Sequence, residues 1–173
     1  MQKMFTTQLA GLFKRILEKE ELNIEDGARV LAQAPVGEGN IFIKGFKEME
    51  GAVIEALEGA EPLKGAVRLE SVEKLSHADR VMLITRFADD VEAMEFGKNL
   101  VEKNIPFVVI AGENKSGGES LADIADVFIQ TYVIKPLLPT EDGNRVGFPS
   151  LIAALYIYFS LKFTIEEILE EYE

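Results

Sequence analysis

Five short apolar runs alternate with segments of helical spacing along the chain. The runs cover residues 40–44, 66–69, 80–85, 106–111 and 126–131. Two of them, at 81–84 and 107–110, are apolar at every position, which is typical of parallel strands covered by helices on both faces. Helical spacing over residues 46–57 and 89–103 separates the strands. The pattern predicts a three-layer α/β fold with a doubly wound, five-stranded parallel sheet of order 2-1-3-4-5.

The two ends of the chain are predicted to be helical. Apolar residues recur at helical spacing over 5–17, where a charged run at 18–21 is expected to end the first helix. A second helix is predicted over 24–34, stopped by Pro35. Residues 151–161 are apolar almost all round, so this C-terminal helix should be buried in the domain or in a dimer. The glutamates that follow it form a solvated helix face.

Length and charge narrow the class of protein. The 173 residues suit one domain spanning 1–173. A formal net charge of -12, with 18 Lys and Arg against 30 Asp and Glu, disfavours nucleic acid and anionic membrane partners. The chain has no cysteine, and no cluster has metal-ligand spacing. An uninterrupted apolar core near the N-terminus is lacking, so we expect a cytoplasmic protein. We also expect no metal and no cofactor.

Two loops are predicted to line a binding crevice. In doubly wound sheets, ligands bind beyond the carboxyl ends of the strands where the strand order reverses. The loops at 44–49 and 85–90 would meet there, and they offer Lys44, Lys47, Thr85 and Arg86 as donors for an anion. Alternatively, Thr85 simply ends a strand, an aspartate after it caps the next helix, and the cations balance an acidic surface.

Three other sequence features do not point to a binding or catalytic site as clearly. The Gly-Glu-Gly sequence at 37–39 precedes a strand, so it is wrongly placed to cradle a dinucleotide. The glycine-containing loop at 112–118 is a turn, or it bends over the crevice. His77, the one histidine, precedes a strand at the edge opposite the crevice and is expected at the surface.

The order of segments resembles the SIS (sugar isomerase) domain family, and within it the phosphoheptose isomerases. The resemblance covers nearly the whole chain and is carried by residues 41–45, 81–85, 107–112 and 117–127. In the last of these, a glycine pair is followed by a small-residue helix and an Ala-Asp step into the final strand. A divergent bacterial branch is suggested.

The resemblance implies where a ligand would bind. The family's Gly-Asn-Gly-Gly-Ser loop falls on residues 45–49 and keeps only its first glycine. Its Ser-Thr-Ser-Gly-Asn-Ser loop falls on 85–90, where Thr85 keeps one hydroxyl and two carboxylates are new. The implied ligand is a phosphorylated sugar or other small anion, and the implied ligand-binding residues are Gly45, Lys47, Glu48, Thr85, Arg86, Asp89 and Asp90.

Three functional hypotheses follow. The first is a sensor or degenerate module that binds a sugar phosphate. The second is an aldose-ketose isomerase with Glu58, or else Glu55, as the base, although the last helix lacks the family's histidine. The third is a structural interaction module, or a receiver-like module in which Asp89 would be the phosphoacceptor and Lys135 its lysine. The resemblance and the apolar terminal helices also predict a homo-dimer or tetramer.

Overall fold

The N-terminal segment forms one long helix instead of the two predicted helices. The structure is a computed structural model that describes residues 1–115 and 117–173. Helix α1 spans Gln2–Val36 and contains Pro35 in its last turn. The charged run does not end the helix because Glu20 is buried, where its carboxylate accepts hydrogen bonds from Tyr132 (2.8 Å) and Asn23 (2.6 Å). Glutamate, lysine and leucine are also good helix formers.

The sheet confirms the predicted architecture. Its strands are β1 (Ile41–Gly45), β2 (Ala66–Arg68), β3 (Arg80–Phe87), β4 (Phe107–Gly112) and β5 (Val127–Gln130). They are all parallel and lie in the order β2-β1-β3-β4-β5. The order reverses between β1 and β3, and the carboxyl ends of these two strands therefore bound the expected crevice.

Helices cover both faces of the sheet. They are α2 (Glu50–Glu58), α3 (Val91–Glu102), α4 (Leu121–Ile124) and α5 (Ser150–Glu170). Alternate strand residues such as Ile84 and Ile110 join the core under α1, α2 and α5, whereas Leu83 and Val109 join a second core under α3 and α4. The two buried cores explain why the central strands are apolar at every position.

The C-terminal helix is largely buried within the domain. Helix α5 packs along α1, and its Ala154, Ile157 and Leu161 have no exposed surface. Ile152 and Phe163 remain 39% and 54% exposed. The glutamates predicted to form a solvated helix face lie at the end of this helix, where Glu167 and Glu170 are exposed.

A small hairpin that the sequence pattern did not predict precedes α5. Strands β6 (Leu138–Pro139) and β7 (Arg145–Val146) are antiparallel and join through a turn in which Gly143 has a φ of 84°. Arg145 donates to the carbonyls of Pro136 (2.9 Å) and Leu137 (2.8 Å). The hairpin occupies the segment before the last helix, which starts at Ser150, one residue before the apolar run predicted at 151–161.

Candidate functional site

An irregularity in β3 lies at the carboxyl end of the sheet. The pairing of β3 with β4 shifts register between Ile84 and Phe87, so β3 holds one extra residue there. Such bulges bend a strand and redirect its side chains, and they are common beside functional sites. The extra residue lies in the Thr85–Arg86 step, where Thr85 is fully buried and Arg86 is half-buried.

The neighbouring turn after β1 brings the chain back toward Arg86. Gly45 is buried at the end of β1, and a Cβ atom there would lie only 2.3 Å from the carbonyl oxygen of Met49. The chain then enters a 3₁₀ turn at Lys47–Met49, in which Lys47 has a left-handed φ of 53°. A non-glycine residue in this conformation is uncommon and strained. The turn sets Glu48 opposite Arg86.

Glu48 accepts hydrogen bonds from two residues that are distant in sequence. Arg86 donates from Nε to Oε1 and from Nη2 to Oε2, both at 2.7 Å. The hydroxyl of Ser150, the first residue of α5, donates to Oε1 at 2.8 Å. The fork of the guanidinium matches both carboxylate oxygens, which is the stronger, bidentate form of this ion pair. One oxyanion group is thus held by three donor atoms.

These contacts keep Glu48 ionised. The hydrogen bonds from Arg86 lower the pKa of Glu48 from 4.5 to about 2, and the Ser150 hydroxyl adds to this against the opposing effect of burial. The same pairing with Glu48 raises the pKa of Arg86. At neutral pH the pair consists of a carboxylate and a guanidinium.

The Thr85 hydroxyl is engaged within its own loop. It donates to Oδ2 of Asp90 at 2.6 Å, and the same carboxylate oxygen accepts from the backbone N–H of Phe87 at 3.3 Å. Asp89 is exposed beside it. Lys44 extends to the opposite face of the sheet, where its Nζ lies 5.6 Å and 5.4 Å from the ring centroids of Phe46 and Phe96.

A cavity of about 520 Å³ opens over the Glu48–Arg86–Ser150 cluster. Its walls combine polar and apolar side chains, which is typical of sites for small molecules. On one side of the cavity, the rings of Phe87 and Phe148 contact edge to face, with their centroids 5.9 Å apart. The lining residues are Glu48, Arg86, Phe87, Phe148, Pro149, Ser150, Leu151 and Ile152.

The structure brings some of the sequence-predicted residues together and leaves others apart. Glu48 and Arg86 meet at the cavity, Thr85 and Asp90 support the bulge beside it, and Gly45 allows the turn. Lys47 is exposed on the same turn. Ser150 was not predicted, although a serine directly before a long apolar run is a signal of a helix start.

Glu58 lies away from this cavity. It is exposed at the last position of α2, a helix of 9 residues that begins beside the crevice and spans about 13 Å. Glu55 is half-buried between these ends. His77 is exposed in the segment before β3, at the amino edge of the sheet.

Over residues 1–115 and 117–173, no group of three or more acidic or histidine side chains is arranged to hold a metal ion. None of the helices in the described part of the chain has the length and apolar character needed to cross a membrane. The predicted loop at 112–118 includes Ser116, which lies outside the described residues.

Sequence comparison supplies the family. The model of the domain of unknown function DUF2529 matches residues 1–169. The chain belongs to this family. A Bacillus subtilis (strain 168) relative described as uncharacterized protein YwjG is 42% identical over 173 residues, covering 99% of both chains.

Solved structures share the fold at low sequence identity. NanR of Vibrio vulnificus, in a complex with ManNAc-6P, matches with a TM-score of 0.70 and 12% identity over 96% of this chain and 62% of its own. The sugar isomerase domain of an RpiR transcription factor from Sphaerobacter thermophilus matches with a TM-score of 0.65 and 13% identity, over 98% of this chain and 91% of its own. Phosphoheptose isomerase GmhA from Neisseria gonorrhoeae matches with a TM-score of 0.66 and 14% identity, over 94% of this chain and 95% of its own. The DUF2529 chain has the SIS fold, as the sequence predicts.

Proposed function

We propose that this protein binds a phosphorylated sugar, or a related small anionic metabolite, in the cavity between the β1 and β3 loops, and that it acts as a sensor or binding module. The observation that carries the proposal is the convergence of Arg86 and Ser150 on one oxyanion group, the Glu48 carboxylate. A guanidinium and a hydroxyl at this spacing also suit a phosphate.

The position of these donors supports the same ligand class. Ser150 begins α5, a helix of 21 residues, and the first turn of a helix offers backbone N–H groups and a positive dipole end to an anion. In this proposal Arg86 and Ser150 hold the phosphate, and exposed Lys47 adds positive charge at the rim. Thr85 and Asp90 position the bulge, and Asp89 is exposed beside them.

The rest of the cavity suits the sugar. Phe87 and Phe148 offer an apolar wall beside the donors, and sugar rings pack their C–H faces against such walls. The structure neighbours add support by analogy of fold, because one was solved with ManNAc-6P and another is a phosphoheptose isomerase. Function rests on the site and not on the fold, so this analogy is secondary.

The site favours binding over isomerisation. A base for proton transfer must reach its substrate within hydrogen-bond distance, directly or through one water. Glu58 is exposed at the far end of α2, and the one histidine of the chain lies before β3. We therefore propose a binding module in preference to an aldose-ketose isomerase.

Thermal shift tests the proposal. We expect one or more pentose, hexose or heptose phosphates at millimolar concentration to raise the melting temperature of the wild type, since a ligand at 100 times its Kd stabilises by about 2.7 kcal/mol. The shift should be absent in Arg86→Ala. Arg29→Ala is the matched control, because it also removes one side of an ion pair, with Glu25, on the surface of α1. If no sugar phosphate raises the melting temperature of the wild type, or if the shift is unchanged in Arg86→Ala, the proposal is refuted.

We further propose that the protein is cytoplasmic and forms a homo-dimer or tetramer. Exposed apolar side chains on α1 and α5, including Leu17 (54%), Leu22 (74%) and Phe163 (54%), support self-association. Light scattering at micromolar concentration should give a multiple of the chain mass. A monomer would contradict the proposed oligomer without affecting the proposed ligand.

A further inference from the structure

We propose that Glu48 is an internal competitor for the phosphate subsite, so that a phosphorylated ligand binds by displacing the Glu48 carboxylate from Arg86 and Ser150. The inference rests on the proposed function and adds a specificity-determining residue to it. Glu48 then sets how tightly the cavity holds an anion.

The Glu48 carboxylate occupies the donors that converge on it from Arg86 and Ser150. Oε1 of Glu48 takes the hydrogen bonds of Arg86 Nε and Ser150 Oγ, and Oε2 takes that of Arg86 Nη2. These three atoms are the donors that the side chains of the cluster direct at the two oxygens of one carboxylate. A phosphate cannot share them with a carboxylate, because two anions at one point repel each other.

The carboxylate is placed so that it can leave. Glu48 belongs to a 3₁₀ turn of three residues at the rim of the cavity, and its side chain is 27% exposed. The backbone of the turn is fixed through its close approach at Gly45, so rotation about side-chain bonds is enough to move the carboxylate into solvent. Arg86 stays in the cavity because it projects from β3.

Proton uptake does not release Glu48 at ordinary pH. The hydrogen bonds from Arg86 hold the pKa of Glu48 near 2, so the carboxylate remains charged. Displacement therefore depends on a competing anion. Because only the open form binds, the apparent Kd equals the intrinsic Kd divided by the fraction of open molecules.

Binding of inorganic phosphate to wild type and Glu48→Gln tests the inference by calorimetry. The glutamine keeps the size of the side chain and removes its charge. We expect Glu48→Gln to bind phosphate at least tenfold more tightly than the wild type. The double variant Glu48→Gln/Arg86→Ala should lose this gain, and Glu25→Gln, which frees Arg29 on the surface of α1, should bind as the wild type does.

The outcomes separate the inference from the proposed function. Tighter binding by Glu48→Gln supports the competitor role even if the wild type binds no sugar phosphate. Equal or weaker binding by Glu48→Gln, with a wild type that binds, overturns the competitor role and leaves the proposed function standing. No binding by either protein overturns both. If Glu48→Gln does not fold, Glu48→Asp replaces it, since the shorter side chain no longer reaches both Arg86 nitrogens, and unchanged or weaker binding again overturns the inference.

Discussion

Replacing Glu48 with glutamine should destabilise the protein at neutral pH even as it removes the negative charge that competes with a bound anion. A pKa lowered from 4.5 to about 2 corresponds to about 3.4 kcal/mol of stabilisation at pH 7. Solvent screening reduces this value because the side chains of Glu48 and Arg86 are 27% and 38% exposed. We therefore expect Glu48→Gln to lower the free energy of unfolding by about 1–2 kcal/mol.

The effect should depend on pH in a defined direction. The folded pKa lies below the unfolded value, so the stabilisation is fully present above about pH 4.5 and is lost as the pH falls toward about 2. At about pH 3 more than half of it should be gone, because the unfolded carboxylate is by then mostly protonated. The difference between wild type and Glu48→Gln should shrink accordingly.

Urea unfolding of both proteins at about pH 7 and about pH 3 measures this difference, and subtracting one curve from the other removes the acid sensitivity common to both. Glu61→Gln is the matched control, since Glu61 is exposed in the segment between α2 and β2. Its effect should stay within about 0.5 kcal/mol at either pH. A Glu48→Gln effect of zero at neutral pH, or one of equal size at both pH values, would refute the reasoning.

Three further predictions concern backbone packing, a buried hydroxyl and catalysis. Gly45→Ala should lower the free energy of unfolding by more than about 2 kcal/mol, because its Cβ would lie 2.3 Å from the Met49 carbonyl oxygen. Gly11→Ala on α1 is the control, since its Cβ would meet no atom within 4 Å, and it should stabilise the protein by up to about 1 kcal/mol in the same urea unfolding assay. Tyr158→Phe should leave the melting temperature unchanged or raise it, since the Tyr158 hydroxyl is buried with no hydrogen-bond partner in the described structure. A clear drop in the melting temperature would contradict this and show that the hydroxyl is hydrogen-bonded. Sedoheptulose 7-phosphate should not be turned over, and turnover that disappears in Glu58→Gln would favour the isomerase hypothesis over the binding module.

The sheet was predictable because its signal is local and repeated. Each central strand is a short run of apolar residues bounded by glycine, proline or charged residues, and parallel strands buried on both faces need such runs. The order of strands and helices along the chain then leaves few topologies, since parallel connections are right-handed and adjacent strands tend to pair.

The errors arose where contacts between distant segments override local preference. The charged run in α1 suggested a helix end, but Tyr132 binds Glu20 from 112 residues away and makes burial of that carboxylate acceptable. The hairpin of β6 and β7 has strands of 2 residues each, too short for any periodicity to be recognised. Arg145 donates hydrogen bonds to two backbone carbonyls beside the hairpin, and such a side-chain contact leaves no periodic signal in the sequence.

The candidate site shows the same division between local and distant information. Glu48 and Arg86 were each predicted from their loops, because the carboxyl ends of β1 and β3 must meet in this topology. The sequence could not show that they pair with each other, since that depends on the bulge in β3 and the strained turn at Lys47. Ser150 joins them from 102 residues away, and only the packing of α5 against the sheet brings it there. The side chains that the sequence offers as separate donors and acids for a ligand are partners of one another in the folded chain. Removal of the Glu48 carboxylate therefore tests whether this pairing limits the binding of an anion in the crevice.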